Sequence, residues 1–383
     1  MPVRSRLPLL GAWLLAAASA PPALAAQDDP ALVARARGIH DRVLTLDTHV
    51  DINPAFFRRD TVNYVTGVAR NQVDLPKMEA GGLDVAFLIV YVGQARTIDA
   101  TTMVAAYDAA MEKFAAIHRL TDTLAPTRVG LARTAAEARA IAASGRKVIF
   151  IGIENGFPIG TDLGRIKQFA DLGGRYLSLA HNGHSQLSDS NTGERDGVWL
   201  HDGLSPLGRE AVVELNRQGV MIDISHPSKA SMLQTIALTR APIIASHSGV
   251  RALCNHSRNL DDEQLRAMGR NGGVVQLVAF NSYVKCPPTS DGARPVATVQ
   301  DFVDHIDYAV KLIGIDHVGI SSDFDGGGGV DGWRNAGETF NVTLELVRRG
   351  YTEAQIAKIW GGNLLRVLDE VQQVSARLQQ QGR

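Results

Sequence analysis

Eight short apolar runs recur along the chain, over residues 43–51, 84–92, 147–154, 175–181, 220–226, 242–247, 273–280 and 317–323. Several are almost continuously apolar, the pattern of a parallel strand buried on both faces. Between them lie amphipathic stretches, among them residues 101–120, 207–218, 261–270 and 299–313. Asp261, Asp262 and Glu263 put negative charge where a helix begins, and Gly219 and Gly314 stand where helices end. Residues 338–350 and 352–368 read as closing helices. This alternation predicts an α/β fold, a closed (β/α)8 barrel of the TIM type, with a doubly wound open sheet as the alternative because strand order is not written in a sequence.

Six of the eight runs end in a side chain that binds metal or moves protons. The first delivers Thr48-His49-Val50-Asp51, and an alternating strand points His49 and Asp51 to the same side. Glu154, His181, His226, His247 and Asp323 follow at the ends of later runs. In a barrel of parallel strands those ends share one face, where chemistry is done. Any one of these residues alone reads more readily as a hydrogen-bonded structural group. Together they are hard to explain as accidents, because an ionisable group ending an apolar strand is costly unless paired or coordinated.

Imidazole nitrogens and carboxylate oxygens suit zinc. His49 and Asp51 can hold one ion, His226 and His247 a second, and the two oxygens of Glu154 can bridge them. Asp323 is either a further ligand or the acid/base that manages a proton during bond cleavage. His181 can stabilise developing negative charge, and Arg258 can grip a carboxylate bidentately, although a surface ion pair is the plain alternative for it. The glycine run 326–329 lacks the Lys-Ser/Thr of a phosphate-binding loop and reads as flexible backbone. His118, His184, His201, His256, His305 and His317 fall outside the expected site. No G-x-S-x-G elbow supports a serine hydrolase.

Residues 1–25 have the features of an export signal: Arg4 and Arg6, an apolar core, and Ala23-Leu24-Ala25 as a cleavage motif. The expected mature product is one domain over 26–383, periplasmic or secreted. Losing the two arginines moves the formal charge from −1 to −3. That balance gives no argument for nucleic acid or an anionic membrane as partner. In an oxidising compartment Cys254 and Cys286 are either a disulfide or two separate buried thiols.

The segments Asp47-Thr48-His49-Val50-Asp51, Gly152-Ile153-Glu154, Tyr176 to His181, Asp223-Ile224-Ser225-His226, Ser246-His247-Ser248, Asn255 to Asn259 and Ser322 to Gly326 resemble, in order, the renal (membrane) dipeptidase family. The resemblance implies a dinuclear zinc metallopeptidase cleaving dipeptides, often with a D-residue at the carboxyl end. It assigns His49 and Asp51 to one zinc, His226 and His247 to the other, and Glu154 to both. His181 would polarise the scissile carbonyl, Arg258 hold the terminal carboxylate, and Asp323 pass a proton to the leaving amine. It also implies a Cys254–Cys286 disulfide and a homodimer. Asn155 departs from the glycine common after the bridging Glu, which is expected to reshape the pocket floor. The run after His181 lacks the usual Asn-Thr-Pro-Trp, and the polar end 379–383 lacks the tail that directs lipid anchoring, so no membrane anchor is expected. Other amide chemistry on the same site, such as hydrolysis of N-acyl amino acids or β-lactams, is the alternative activity. A zinc- or carbohydrate-binding protein without catalysis is the alternative class.

Overall fold

The computed structural model describes residues 29–286 and 295–381. The expected signal lies outside them. Nine strands occur among the described residues: β1 (Leu46–Asp51), β2 (Val85–Tyr91), β3 (Val129–Leu131), β4 (Lys147–Glu154), β5 (Gly174–Ser178), β6 (Met221–Asp223), β7 (Ile244–Ser248), β8 (Val274–Val278) and β9 (Val318–Ser321). Eight follow one another in parallel in the order β1-β2-β4-β5-β6-β7-β8-β9. A parallel bridge between Val50 and Phe324 brings the last strand back to the first, with the Asp51 amide donating to the Phe324 carbonyl at 2.9 Å. The sheet therefore closes as a (β/α)8 barrel rather than the open alternative.

The ninth strand, β3, lies off this path and pairs only with β4. Three residues are too few to leave a readable apolar run, so the sequence does not announce it. β5, β6 and β9 are also shorter than their apolar runs. His181 and His226 each lie three residues beyond a strand and Asp323 two beyond. Side chains replace the ladder there: Ser185 Oγ donates to the Leu179 carbonyl at 2.6 Å and Ser190 Oγ to the His181 carbonyl at 2.5 Å.

The helices follow the amphipathic stretches closely, as Ala100–Arg119, Pro206–Gln218, Asp262–Asn271 and Val299–Ile313 show. Asp261 and Gln264 form a reciprocal cap, and Gly219 takes the left-handed conformation, φ 68°, that ends its helix. The second closing helix is interrupted by a wide turn at Lys358–Gly362 and resumes as Asn363–Gln381. Its Leu364, Leu365 and Leu368 pack with Leu46, Val85, Val148, Ile244 and Val274. These residues are the first or second of their strands, so the C-terminal helix plugs the barrel end opposite the carboxyl ends. Phe87 stacks on Phe150 at 4.7 Å and on Tyr176 at 5.5 Å, filling the interior between plug and site.

Candidate metal centre

Strand irregularities set the two deepest histidines. Pairing of β1 with β2 shifts register between Asp47 and Val50, and pairing of β7 with β8 shifts between Ala245 and Ser248. A bulge re-aims the side chains within it. Here the shifts enclose His49 and His247, whose rings come to 3.9 Å centroid to centroid.

Glu154 ends β4 at the centre. One oxygen lies 3.0 Å from His226 Nε2, 3.3 Å from His247 Nε2 and 3.7 Å from His181 Nε2. The other lies 3.4 Å from His49 Nε2, and Asp51 is 3.8 Å from that same nitrogen. Ligand atoms of three sets, His49-Glu154-His247, Glu154-His181-His226 and His49-Asp51-Asp323, each lie within 4.8 Å of one another. All seven residues expected at the strand ends therefore meet at one place.

Three of the imidazoles present Nε2 inward because Nδ1 is engaged outside. Tyr176 Oη donates to the Thr48 carbonyl at 3.1 Å, so its oxygen is left to accept from His49 Nδ1 at 2.9 Å. Ser246 Oγ donates to Asp223 at 2.7 Å and accepts from His247 Nδ1 at 2.8 Å. Asn182 Oδ1 accepts from His226 Nδ1 at 3.2 Å. Each hydrogen bond keeps a proton on Nδ1 and turns Nε2 inward as the nitrogen left to ligate, the usual support for a metal-binding histidine. The convergent nitrogens then have no protein donor: His226 and His247 Nε2 sit 3.1 Å apart, and His49 Nε2 and Asp51 Oδ1 are buried without hydrogen-bond partners. Lone pairs gathered at such spacing fit divalent cations and fit a salt bridge poorly.

Tyr176, Asp223, Ser246 and Asn182 are the site residues that sequence reasoning missed. Tyr176 crosses the barrel only because Gly152, its register partner on β4, has no side chain; a Cβ there would collide with the phenol. Asp223 lies within the quoted Asp-Ile-Ser-His segment, yet nothing in its spacing reveals that it braces the next strand. Asp47 does similar work, accepting from the Ser322 amide at 2.9 Å and the His49 amide at 3.2 Å.

Burial lowers His226 and His247 well below the ordinary imidazole range, with the Arg258 cation adding to the effect, so both stay neutral and able to ligate. Burial would lower His49 too, but the Glu154, Asp323 and Asp51 carboxylates overcome it and hold the ring up to about 10. Burial also pushes Asp51 up to about 6, partly offset by His49. A cation that takes these atoms must displace protons, so its affinity is expected to rise with pH. Isothermal titration between pH 5.5 and 8 in buffers of different ionisation enthalpy should show tighter binding and proton release; flat affinity would oppose ligation by His49 and Asp51.

Asp323 follows β9 with a left-handed backbone, φ 58°, which turns its carboxylate into the site. Burial, reinforced by Asp51 and Glu154 against the pull of His49, pushes it up to about 8. The glycine run behind it is tightly packed, correcting the reading of flexible backbone. The Gly328 amide donates to the Asp323 carbonyl at 2.8 Å and that of Gly329 to Ala279 at 2.7 Å. A Cβ on Gly326 would strike both the Asp323 and Asp51 carboxylates. Asp325 instead accepts from the Gln72 and Val73 amides at 2.7 and 3.1 Å.

Arg258 is buried, which removes the surface ion pair as its explanation. It donates to the Ser225 carbonyl and, at 3.2 Å, to that of His247, while Nε has no partner. A disulfide joins Cys254 to Cys286, and Asn259 Nδ2 ties the Cys254 and Tyr283 carbonyls together at 2.8 Å each. Arg258 and Tyr283 thus stand on one braced wall of a cavity of about 770 Å³ whose floor is Glu154, His226, His247 and Asp323. Asn155 does not line that cavity. Its φ of 77° suits the position, and its amide turns back to the Val92 carbonyl at 3.0 Å, so the expected effect on the pocket floor is not seen. The six histidines left outside the site lie elsewhere, and His305 is buried between the Val250 amide and the Val284 carbonyl at 3.0 Å each.

A closed (β/α)8 barrel with carboxylate-linked imidazoles at its carboxyl face fits a metal-dependent hydrolase. The sequence pattern of membrane dipeptidase (Peptidase family M19) matches residues 33–382, and the chain belongs to that family. The dipeptidase aclJ of Aspergillus oryzae is 34% identical over 312 residues, covering 80% of this chain and 72% of its own length. The structure of the probable dipeptidase PvdM of Pseudomonas aeruginosa superposes with a TM-score of 0.81 at 32% identity, over 90% of this chain and 99% of that one. A metallopeptidase of Rhodobacter sphaeroides, liganded with a phosphinate mimic of L-Ala-D-Ala, gives 0.75 at 25% identity over 86% and 99%. The protein is a dipeptidase of a metallopeptidase family, and no helix among its described residues is long and apolar enough to cross a membrane.

The hydrogen bond from His49 to Tyr176 is expected to matter for metal retention. Tyr176→Phe should weaken metal binding by roughly 10–100-fold, the usual cost of an outer-shell loss. Competition against a chelator of known affinity measures this, and an unchanged constant would remove Tyr176 from the site.

Proposed function

We propose that this is an exported dipeptidase using two zinc ions and accepting substrates with a D-residue at the carboxyl end. The observation that carries the reading is the convergence of imidazole nitrogens on the two oxygens of one buried carboxylate. His49 and Asp51 would hold one zinc, His226 and His247 the other, with Glu154 between them. When bound, the pair would acidify a water and polarise the scissile carbonyl.

The chain's own groups divide the remaining work. Arg258 anchors the terminal carboxylate against the Tyr283 wall. His181 is the most exposed imidazole of the cluster, its side chain 15% accessible against 4% or less for His49, His226 and His247. It therefore serves the substrate rather than the metals, donating to the carbonyl oxygen as charge develops there. Asp323, poised by its backbone turn, takes the proton from the attacking water and gives it to the departing amine. Acceptance of a D-residue takes support from the L-Ala-D-Ala mimic bound by the Rhodobacter relative. Export is supported by the disulfide, which suits an oxidising compartment. Light scattering tests the homodimer that the family resemblance implies.

Hydrolysis of L-Ala-D-Ala, L-Ala-L-Ala and N-acetyl-L-alanine by the zinc-loaded enzyme tests the activity. Cleavage of both dipeptides with the acylated compound spared is the expected result. Cleavage of N-acetyl-L-alanine alone would transfer the site to N-acyl amino acids.

A further inference from the structure

Three charged groups that line the cavity, Arg70, Lys113 and Asp325, have no part in the chemistry above. Asp325 is held by the Gln72 and Val73 amides, and the Arg70 guanidinium lies 4.5 Å over the ring of Phe56. Lys113 lies on the helix Ala100–Arg119 and lines the same cavity as Glu154 and Arg258. Its ammonium stands 5.2 Å over the ring of Tyr91, which is itself 4.7 Å from the ring of His181. Among the described residues it has no hydrogen bond or ion pair. Burial lowers the amine from its ordinary value, while Asp51 and Glu154 pull it back up from a distance. Both of those carboxylates are committed to the metal centre, so neither is free to pair with it. A partly buried ammonium facing a binding cavity without a counter-ion is unfavourable until an anion arrives.

Position says which anion. Arg258 reaches the carbonyls of Ser225 and His247, on the β6 and β7 side of Glu154. Lys113 stands over Tyr91, the last residue of β2, on the opposite side of Glu154 in the strand order. A dipeptide with its terminal carboxylate on Arg258 and its amide over Glu154 extends its first residue toward Lys113. The substrate's own α-amine is cationic and would be repelled there. A side-chain carboxylate on the first residue would be drawn in.

We propose that Lys113 is a specificity-determining residue that receives the side-chain carboxylate of the first residue, so that preferred substrates are dipeptides beginning with Glu or Asp. This rests on the dipeptidase reading above.

The test compares kcat/KM for L-Glu-L-Ala and L-Gln-L-Ala, nearly equal in shape and different in charge. Wild type is expected to favour the acidic substrate by about tenfold or more, through KM. In Lys113→Met the ratio should fall to within about threefold of one, and Lys113→Glu should turn preference toward L-Lys-L-Ala. Lys113→Gln, with zinc content measured, guards against a folding defect in either variant. If Lys113 only balanced the charge of the metal ligands, both substrates would suffer equally and the ratio would hold, which overturns the inference and leaves the dipeptidase reading intact. A wild-type ratio near one would overturn it too. Failure of the wild type to cleave any dipeptide would overturn both.

Discussion

Glu154→Gln is expected to lose metal and nearly all turnover together. The substitution keeps shape but removes the charge that faces every imidazole of the cluster, and it trades one acceptor oxygen for an NH₂ that cannot ligate. His226 and His247 Nε2, 3.1 Å apart, would then share no anion between them. Two cations held in one cluster would need a negative charge shared between them, so at least one should be lost. The fall in kcat/KM should be on the order of 10³-fold or more, since charge stabilisation at the carbonyl goes with it. Metal content and kcat/KM measured on one preparation check this; a variant with full metal and wild-type rate would remove Glu154 from the centre.

Asp323→Asn should separate chemistry from metal binding. Asparagine preserves the side chain's size and tolerates the left-handed backbone at φ 58°. It cannot carry a proton from water to amine. A kcat lower by roughly 10²–10⁴-fold with metal content near wild type is expected, the range for a lost general acid–base. Loss of metal in parallel would instead make Asp323 a ligand, as its place beside His49 and Asp51 allows. Steady-state kinetics with elemental analysis distinguishes the outcomes.

What the sequence made legible, and what it hid, follows from how each feature is encoded. Strands β2 and β4 are long apolar runs and emerge nearly at their expected limits, whereas β3 is three residues and leaves no pattern. The strand-end histidines and carboxylates are readable because an ionisable group closing an apolar run breaks the local rule. Their orientation is not. The register shifts around His49 and His247, the Tyr176 phenol crossing over Gly152, and the Asp223–Ser246 relay all depend on contacts between strands distant in sequence. Lys113 was hidden for another reason: on an amphipathic helix a lysine reads as solvated surface until the neighbouring strand ends show what it faces. The glycine run misled because composition cannot distinguish slack from close packing, and Gly326 is there to admit two carboxylates.

The central claim, a two-metal site built on Glu154, is tested most directly by elemental analysis of the purified protein. It should be paired with dipeptide hydrolysis before and after exhaustive chelation and after zinc is returned. About two zincs per chain, activity lost with the metal and restored with it, is the predicted result. Full activity in metal-free protein, or no metal retained even when zinc is supplied, would contradict it.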